Sequence, residues 1–261
     1  AYAALKRNYD GYHFSDANVD VYNPFSLLQA LKNKKASAFW FSSGTPTFLL
    51  EQMKRFGVKP ADIKRQEAWA SGFDAPTEGM VSITPLLYQS GYLTIKSNDR
   101  ELNNYVLDIP NNEVREGLMD SMLPYVMVAE KVPAAQQLVT GMYADLRNDD
   151  FATVMEKLKT FLGTIPHTAN TNYEGHYQSM LFVIFSLMCK YVDVEVHTPQ
   201  GRCDIVFESP NKLYIMELKL NGSVKAAEEQ INLKDYDERF ALCGKPVVNV
   251  AVNFSDETSN V

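Results

Sequence analysis

Asp204-Ile205-Val206-Phe207-Glu208 and Leu213-Tyr214-Ile215-Met216-Glu217-Leu218-Lys219, separated by Ser209-Pro210-Asn211-Lys212, decide how this chain reads. Both flanks are rich in β-branched and aromatic residues, and the four residues between them are turn formers. The stretch therefore reads as a β-hairpin. With those four residues as the loop, Glu208 faces Leu213 and Asp204 faces Glu217. Side chains alternate faces along a strand, so Lys219 shares the face of Glu217. Directly opposed residues in an antiparallel pair have Cβ atoms roughly 4.5–5.5 Å apart, and opposed like charges destabilise the sheet. Two carboxylates so placed call for a cation. Mg²⁺ suits them, because it takes oxygen ligands and commonly uses one or two carboxylates with waters and a phosphate. By the same reasoning, Asp204→Asn is expected to stabilise the metal-free protein.

The acid-x-lysine tripeptide means little alone: it recurs at Asp62-Ile63-Lys64, where no upstream hairpin offers a partner acid. The bland reading of Asp204, Glu217 and Lys219 is a cross-strand charge cluster on a solvated face. Ile215 and Met216 argue against it, since apolar residues on both faces imply a buried strand.

The flanking segments set the topology. Upstream, Tyr177, Met180, Leu181, Ile184, Phe185 and Met188 fit helical spacing. Val192-Asp193-Val194-Glu195-Val196 alternates as a half-buried strand does. After Lys219, Asn221-Gly222-Ser223 makes a turn whose serine suits the cap of a helix from Val224 to Phe240. Pro246-Val247-Val248-Asn249-Val250-Ala251-Val252 reads as a further buried strand. The predicted order is αβββαβ.

That order, with those acids, resembles the PD-(D/E)XK nuclease superfamily, and in particular the nuclease-like domain found behind AAA-ATPase-like domains in bacterial proteins. The resemblance spans about Asn170 to the C-terminus and implies a restriction-endonuclease-like core within an α/β (α+β) fold. It also implies roles for particular residues. Asp204 and Glu217 would bind Mg²⁺ or Mn²⁺, and Lys219 would activate or orient water. Glu174, at the start of the first helix, would be a third metal ligand. Gln230, in Ala226-Ala227-Glu228-Glu229-Gln230-Ile231, would support the centre, with Tyr236 following it. An acid in a helix's first turn is also favoured by the macrodipole without any chemistry, and an amide such as Gln230 also suits a plain helix surface. His176, near Glu174, is the one histidine placed to matter.

Tyr9-Asp10-Gly11-Tyr12, Val21-Tyr22-Asn23-Pro24-Phe25-Ser26-Leu27-Leu28 and Phe39-Trp40-Phe41-Ser42-Ser43-Gly44-Thr45-Pro46-Thr47 resemble the end of the AAA-ATPase-like domain. No G-x-x-x-x-G-K-[ST] phosphate loop is present and the first residue is not methionine, so the expectation is a C-terminal piece of a longer protein, without ATPase activity of its own. From Gly79 to Tyr125, a helix running into a strand (84–95), a returning strand (105–110) and a helix capped by Asn111 or Asn112 resemble a winged helix. No basic recognition helix stands out, so an interaction role is favoured over DNA binding. Residues 134–167 read as two helices split at Arg147-Asn148-Asp149-Asp150. The expected organisation is an AAA-ATPase-like remnant with a mostly helical, winged-helix-like unit at 1–135, a helical connector at 136–169, and a nuclease-like domain at 170–261.

With 46% hydrophobic residues, the chain can bury a sizeable core. No apolar run approaches the length of a membrane span. Cys189, Cys203 and Cys243 are not closely spaced, which suits a reducing cytoplasm and argues against a zinc or disulfide site. The net charge of −7 divides as −1 over residues 1–135 and −6 over 136–261. Phosphate contacts supply nearly all non-specific nucleic-acid affinity, so this balance is the main argument against a nuclease. The expected activity is hydrolysis of nucleic-acid phosphodiesters, DNA ahead of RNA. The alternative is a non-catalytic nuclease-fold interaction or regulatory module in a larger ATPase-linked protein.

Overall fold

The computed structural model describes residues 2–15, 19–43, 46–74, 80–165, 173–189, 191–198, 201–220, 229 and 244–254. The chain divides into two compact units, Ala1–Met122 and Leu123–Val261.

The first unit carries α1 (Tyr2–Tyr9), α2 (Pro24–Asn33), α3 (Thr47–Phe56), β1 (Gln66–Trp69), α4 (Ala70–Phe73), α5 (Thr84–Gln89), β2 (Thr94–Asp99) and β3 (Asn104–Asp108). Helix α6 (Asn112–Val126) crosses the division between the units. Asn111 caps it: the Val114 N–H donates to Asn111 Oδ1 at 3.1 Å. The expected β2–β3 hairpin is present and antiparallel, with a bulge between Ile95 and Ser97. It is not a two-stranded wing, however. Strand β1 pairs with β3 from Gln66↔Leu107 to Trp69↔Asn104, giving the order β1-β3-β2.

The second unit follows with α7 (Val132–Arg147), α8 (Phe151–Leu162), α9 (Tyr173–Met188), β4 (Tyr191–Thr198), β5 (Gly201–Glu208), β6 (Leu213–Leu220) and β7 (Val247–Phe254). Helices α7 and α8 break at 148–150. There Asp149 adopts φ +63° and the Asp150 carboxylate accepts the Thr153 N–H at 3.1 Å. The sheet order is β4-β5-β6-β7, antiparallel except for the parallel β6–β7 pair. Parallel neighbours need a crossover of roughly a dozen residues or more, and residues 221–246 supply that length. The helix expected at 224–240 falls almost wholly on residues outside those described.

Helix α9 is the centre of this unit. Met180, Leu181, Phe182, Val183, Ile184 and Phe185 are all fully buried. The apolar positions read from spacing alone describe a single face, whereas a helix apolar all round is a buried one. Phe185 stacks on Phe207 (centroids 4.2 Å apart), Phe207 on Tyr214 (4.9 Å), and Phe151 of α8 on Tyr214 (4.3 Å). At the far edge Tyr177 stacks on Phe254 at 4.3 Å. These contacts assign Phe207 and Tyr214 to the helix-covered face of the sheet. By alternation, Asp204 and Glu217 belong to the other face.

Candidate metal centre

The β5–β6 register runs Glu208↔Leu213, Phe207↔Tyr214, Val206↔Ile215 and Ile205↔Met216. This is the register required by a Ser209–Lys212 loop, and the Ser209 N–H closes that loop by donating to the Lys212 carbonyl at 2.9 Å. Continuing it by one rung brings Asp204 to Glu217, but the ladder stops before that rung. Instead the Leu218 N–H donates to Asp204 Oδ2 at 2.7 Å. The aspartate side chain thus takes up a main-chain donor of β6. An ionised acceptor makes this a charge-assisted bond, shorter and stronger than a neutral one.

Glu217 has 0% exposure and Asp204 8%. Lys219, two residues beyond Glu217 on the same face, donates from Nζ to Glu217 Oε1 at 3.2 Å, and its side chain is 26% exposed. Val206, Leu213 and Ile215 share the face of the acids along β5 and β6 and belong to an apolar cluster, with Val247 and Ala251 packed against it. A carboxylate in such surroundings is costly unless compensated. A solvated charge cluster would leave these acids wet, and they are not. The donor set is oxygen-only and anionic, which fits a hard divalent cation such as Mg²⁺ or Mn²⁺.

The other candidates are placed as follows. Glu174 lies in the first turn of α9, and its side chain is outside the described residues, as are Gln230 and Tyr236. His176 is half-buried on α9, and loss of solvation pushes its imidazole below the usual histidine range. Among the described residues, no group of three or more His, Cys, Asp or Glu side chains comes together as a metal site. Asp204, Glu217 and Lys219 share one sheet face by strand alternation, and the Lys219–Glu217 ion pair joins two of them.

One residue was missed. Gln178 of α9, 9% exposed, donates from Nε2 to the main-chain carbonyl of Asp204 at 3.2 Å. Its only sequence signal is an amide near the start of a run that is otherwise strongly apolar.

A four-stranded mixed sheet on a buried helix, with two acids and a lysine at the end of the β5–β6 hairpin, defines a nuclease-type core. Residues 172–261 match the family described as the PD-(D/E)XK nuclease superfamily, so the C-terminal unit carries a domain of that superfamily. The chain is also similar to the "Uncharacterized protein in vnfD 5'region" of Azotobacter chroococcum mcd 1. The two are 30% identical over 266 residues, covering 97% of this chain and 50% of that protein. The chain thus spans about half the length of the curated relative it matches.

Proposed function

We propose that this chain is a divalent-metal-dependent nuclease, using Mg²⁺ or Mn²⁺ to hydrolyse nucleic-acid phosphodiesters, DNA ahead of RNA. The observation that carries this reading is a fully buried carboxylate, Glu217, on one sheet face with Asp204 and with Lys219 Nζ at 3.2 Å. Asp204 and Glu217 would hold the cation, joined by Glu174 from α9. When bound, the cation lowers the pKa of its water and steadies charge on the phosphate. Lys219 orients the attacking water and balances charge on the phosphoryl oxygens. The Leu218 N–H keeps one Asp204 oxygen engaged and so fixes the carboxylate plane. Gln230 would support the centre from the following helix.

The partners in this proposal are nucleic acid and an AAA-ATPase-like region of the longer protein, acting in the bacterial cytoplasm. Among the described residues no helix is long and apolar enough to cross a membrane. The net charge of −7 favours a second reading, a non-catalytic interaction module. A cleavage screen on mixed DNA and RNA with MgCl₂ or MnCl₂ separates the two. Wild-type protein should cut and Glu217→Ala should be inactive yet folded. Equal activity in the two proteins rejects the site, and no cleavage by the full-length protein favours the module.

A further inference from the structure

The first unit holds an open cleft of about 330 Å³, lined by Tyr12, Phe14, Tyr22 and Trp40 among others. That volume lies at the low end of the range for small-ligand sites, roughly 300–1,000 Å³. Hydrogen bonds hold the walls in place. Tyr12 and Val21 pair across an isolated antiparallel bridge, through main-chain bonds of 3.2 and 2.8 Å. Asn23 accepts the Ser26 N–H at 3.1 Å to cap α2, and its side chain also bonds the Tyr12 phenol. The Trp40 N–H donates to Glu113 Oε1 at 3.0 Å, and the indole meets Tyr92 with centroids 5.1 Å apart. Gly91 lies between two of the walls: a Cβ there would sit 3.6 Å from the Tyr12 ring and 3.8 Å from the Trp40 ring. Phe14 stacks on Tyr12 at 5.8 Å yet stays 56% exposed, an aromatic side chain left open to water at the cleft.

Among the described residues, no charged side chain lines the cleft. Carboxylates lie close to its rings instead. The Tyr12 and Tyr22 phenols are both pushed up to about 12, first by desolvation; the Glu113 charge adds to this at Tyr12 and the Asp10 charge at Tyr22. Asp20, next in sequence to Val21, meets His13 Nδ1 at 3.3 Å with its own side chain 56% exposed. Lys96 lies near Asp10 and Asp20, but its Nζ donates to the Gly11 and Pro110 carbonyls at 3.2 and 3.0 Å. An anionic ligand would meet this field unfavourably. A hard metal ion takes several oxygen ligands, and these walls are mostly aromatic. Ring faces, Trp ahead of Tyr or Phe, attract a cation that comes within about 6 Å of the centroid.

We infer that this cleft binds an organic cation, an alkylammonium or guanidinium head group, held against Tyr12, Phe14, Tyr22 and Trp40. Such a group offers apolar surface to the rings, and its charge suits both the ring faces and the acids near them. A neutral ligand of the same shape gains only the apolar contact. The metal centre plays no part in this binding, so the cleft can be tested whether or not the nuclease reading holds.

Trp40 and Trp69 are the chain's two tryptophans, so Trp69→Phe leaves Trp40 as the sole indole reporter. In that background choline is titrated beside dimethylbutanol, in which carbon replaces the charged nitrogen. Choline should change the Trp40 emission saturably and bind about 2–30-fold tighter than the alcohol, the range of a cation–π contribution. Adding Phe14→Leu keeps the reporter and an apolar side chain but removes one ring face. It should weaken choline by about two- to threefold or more and leave the alcohol at its former affinity, with an unchanged circular dichroism spectrum. Nα-acetylarginine amide, run in parallel, separates two sources of the same chemistry. Tighter binding than choline assigns the cleft to a basic side chain of a protein partner, and weaker binding to a free quaternary amine. No saturable response to either cation overturns the proposal. So does equal binding of choline and dimethylbutanol, which marks a merely apolar cleft. Choline affinity that ignores Phe14→Leu also overturns it, because the cation then binds elsewhere.

Discussion

Glu217→Gln tests the centre without knowledge of the substrate. The change keeps the shape of a fully buried side chain and removes its charge. Two effects oppose each other in the metal-free protein. The ion pair with Lys219, whose side chain is 26% exposed, is worth about 0–1 kcal/mol. Relief of repulsion from Asp204 returns about 0.2–1 kcal/mol. The net change lies within about 1 kcal/mol, or about 2–4 °C in Tm. Asp204→Asn is a poorer probe than the sequence suggested, because the Leu218 N–H bond at 2.7 Å favours the ionised aspartate and offsets the relief. Metal separates the cases. At ten times the dissociation constant the wild type gains about 1.4 kcal/mol by linkage, or about 3–6 °C. If losing one anionic ligand weakens binding tenfold, the variant gains only about 0.4 kcal/mol at that concentration, roughly 1 °C. Differential scanning calorimetry with chelator and with MgCl₂ or MnCl₂ reads both numbers. Equal metal-induced shifts in the two proteins refute the centre.

Gly117→Ala should destabilise the first unit, because a Cβ there would overlap the Phe41 ring. The gain in helix propensity is about 1 kcal/mol, against an overpacking cost of about 1–3 kcal/mol. In a Phe41→Ala background the same change should stabilise, and denaturant melts of the four proteins check the reversal. Glu113 is buried and its carboxyl is pushed above the usual range, chiefly by desolvation. The native state then holds its proton more tightly than the unfolded chain, so stability is lost as pH rises from about 4.5 upward. Glu113→Gln keeps an acceptor for the Trp40 N–H, so its Tm advantage over wild type should be absent at pH 4 and present at pH 7; an advantage independent of pH would contradict this. Nucleic-acid binding should require the divalent cation and show a shallow salt dependence, with a log–log slope of about −1 to −2. Tight binding in chelator with a steep slope would place the interface on a basic surface elsewhere.

The hairpin was legible because two local signals agree: period-2 side-chain alternation fixes the faces, and Ser209–Lys212 fixes the loop. Together they give the register to the residue as far as Ile205↔Met216. The Gln178 bond to the Asp204 carbonyl was not legible, because it comes from a helix far away in sequence. Strand β1 escaped for a related reason. Gln66-Glu67-Ala68-Trp69 has no β-branched residue, and its pairing with β3 holds it in place. Spacing in α9 gave a face, yet Phe182 and Val183 outside that face are buried too. Helical periodicity reports the better-covered side and says nothing about whether a second layer closes the other. Gln230 belongs to a segment outside the described residues, so its part in the centre rests on resemblance alone.

The acidity of the chain bears differently on the site once its ion pairs are known. Lys157, Lys212 and Lys245 in the second unit are tied to Asp145, Asp149 and Glu208. Those carboxylates lie outside the proposed centre, so the three lysines stay committed to them whatever binds. Lys219 differs, because its partner Glu217 is itself a proposed ligand. Charge taken up at Glu217 loosens the hold on Lys219, and the ammonium then faces a phosphate with its charge available. On the proposed nuclease reading, metal occupancy and substrate affinity would be one linked equilibrium, and nucleic-acid binding measured with and without the divalent cation tests that link.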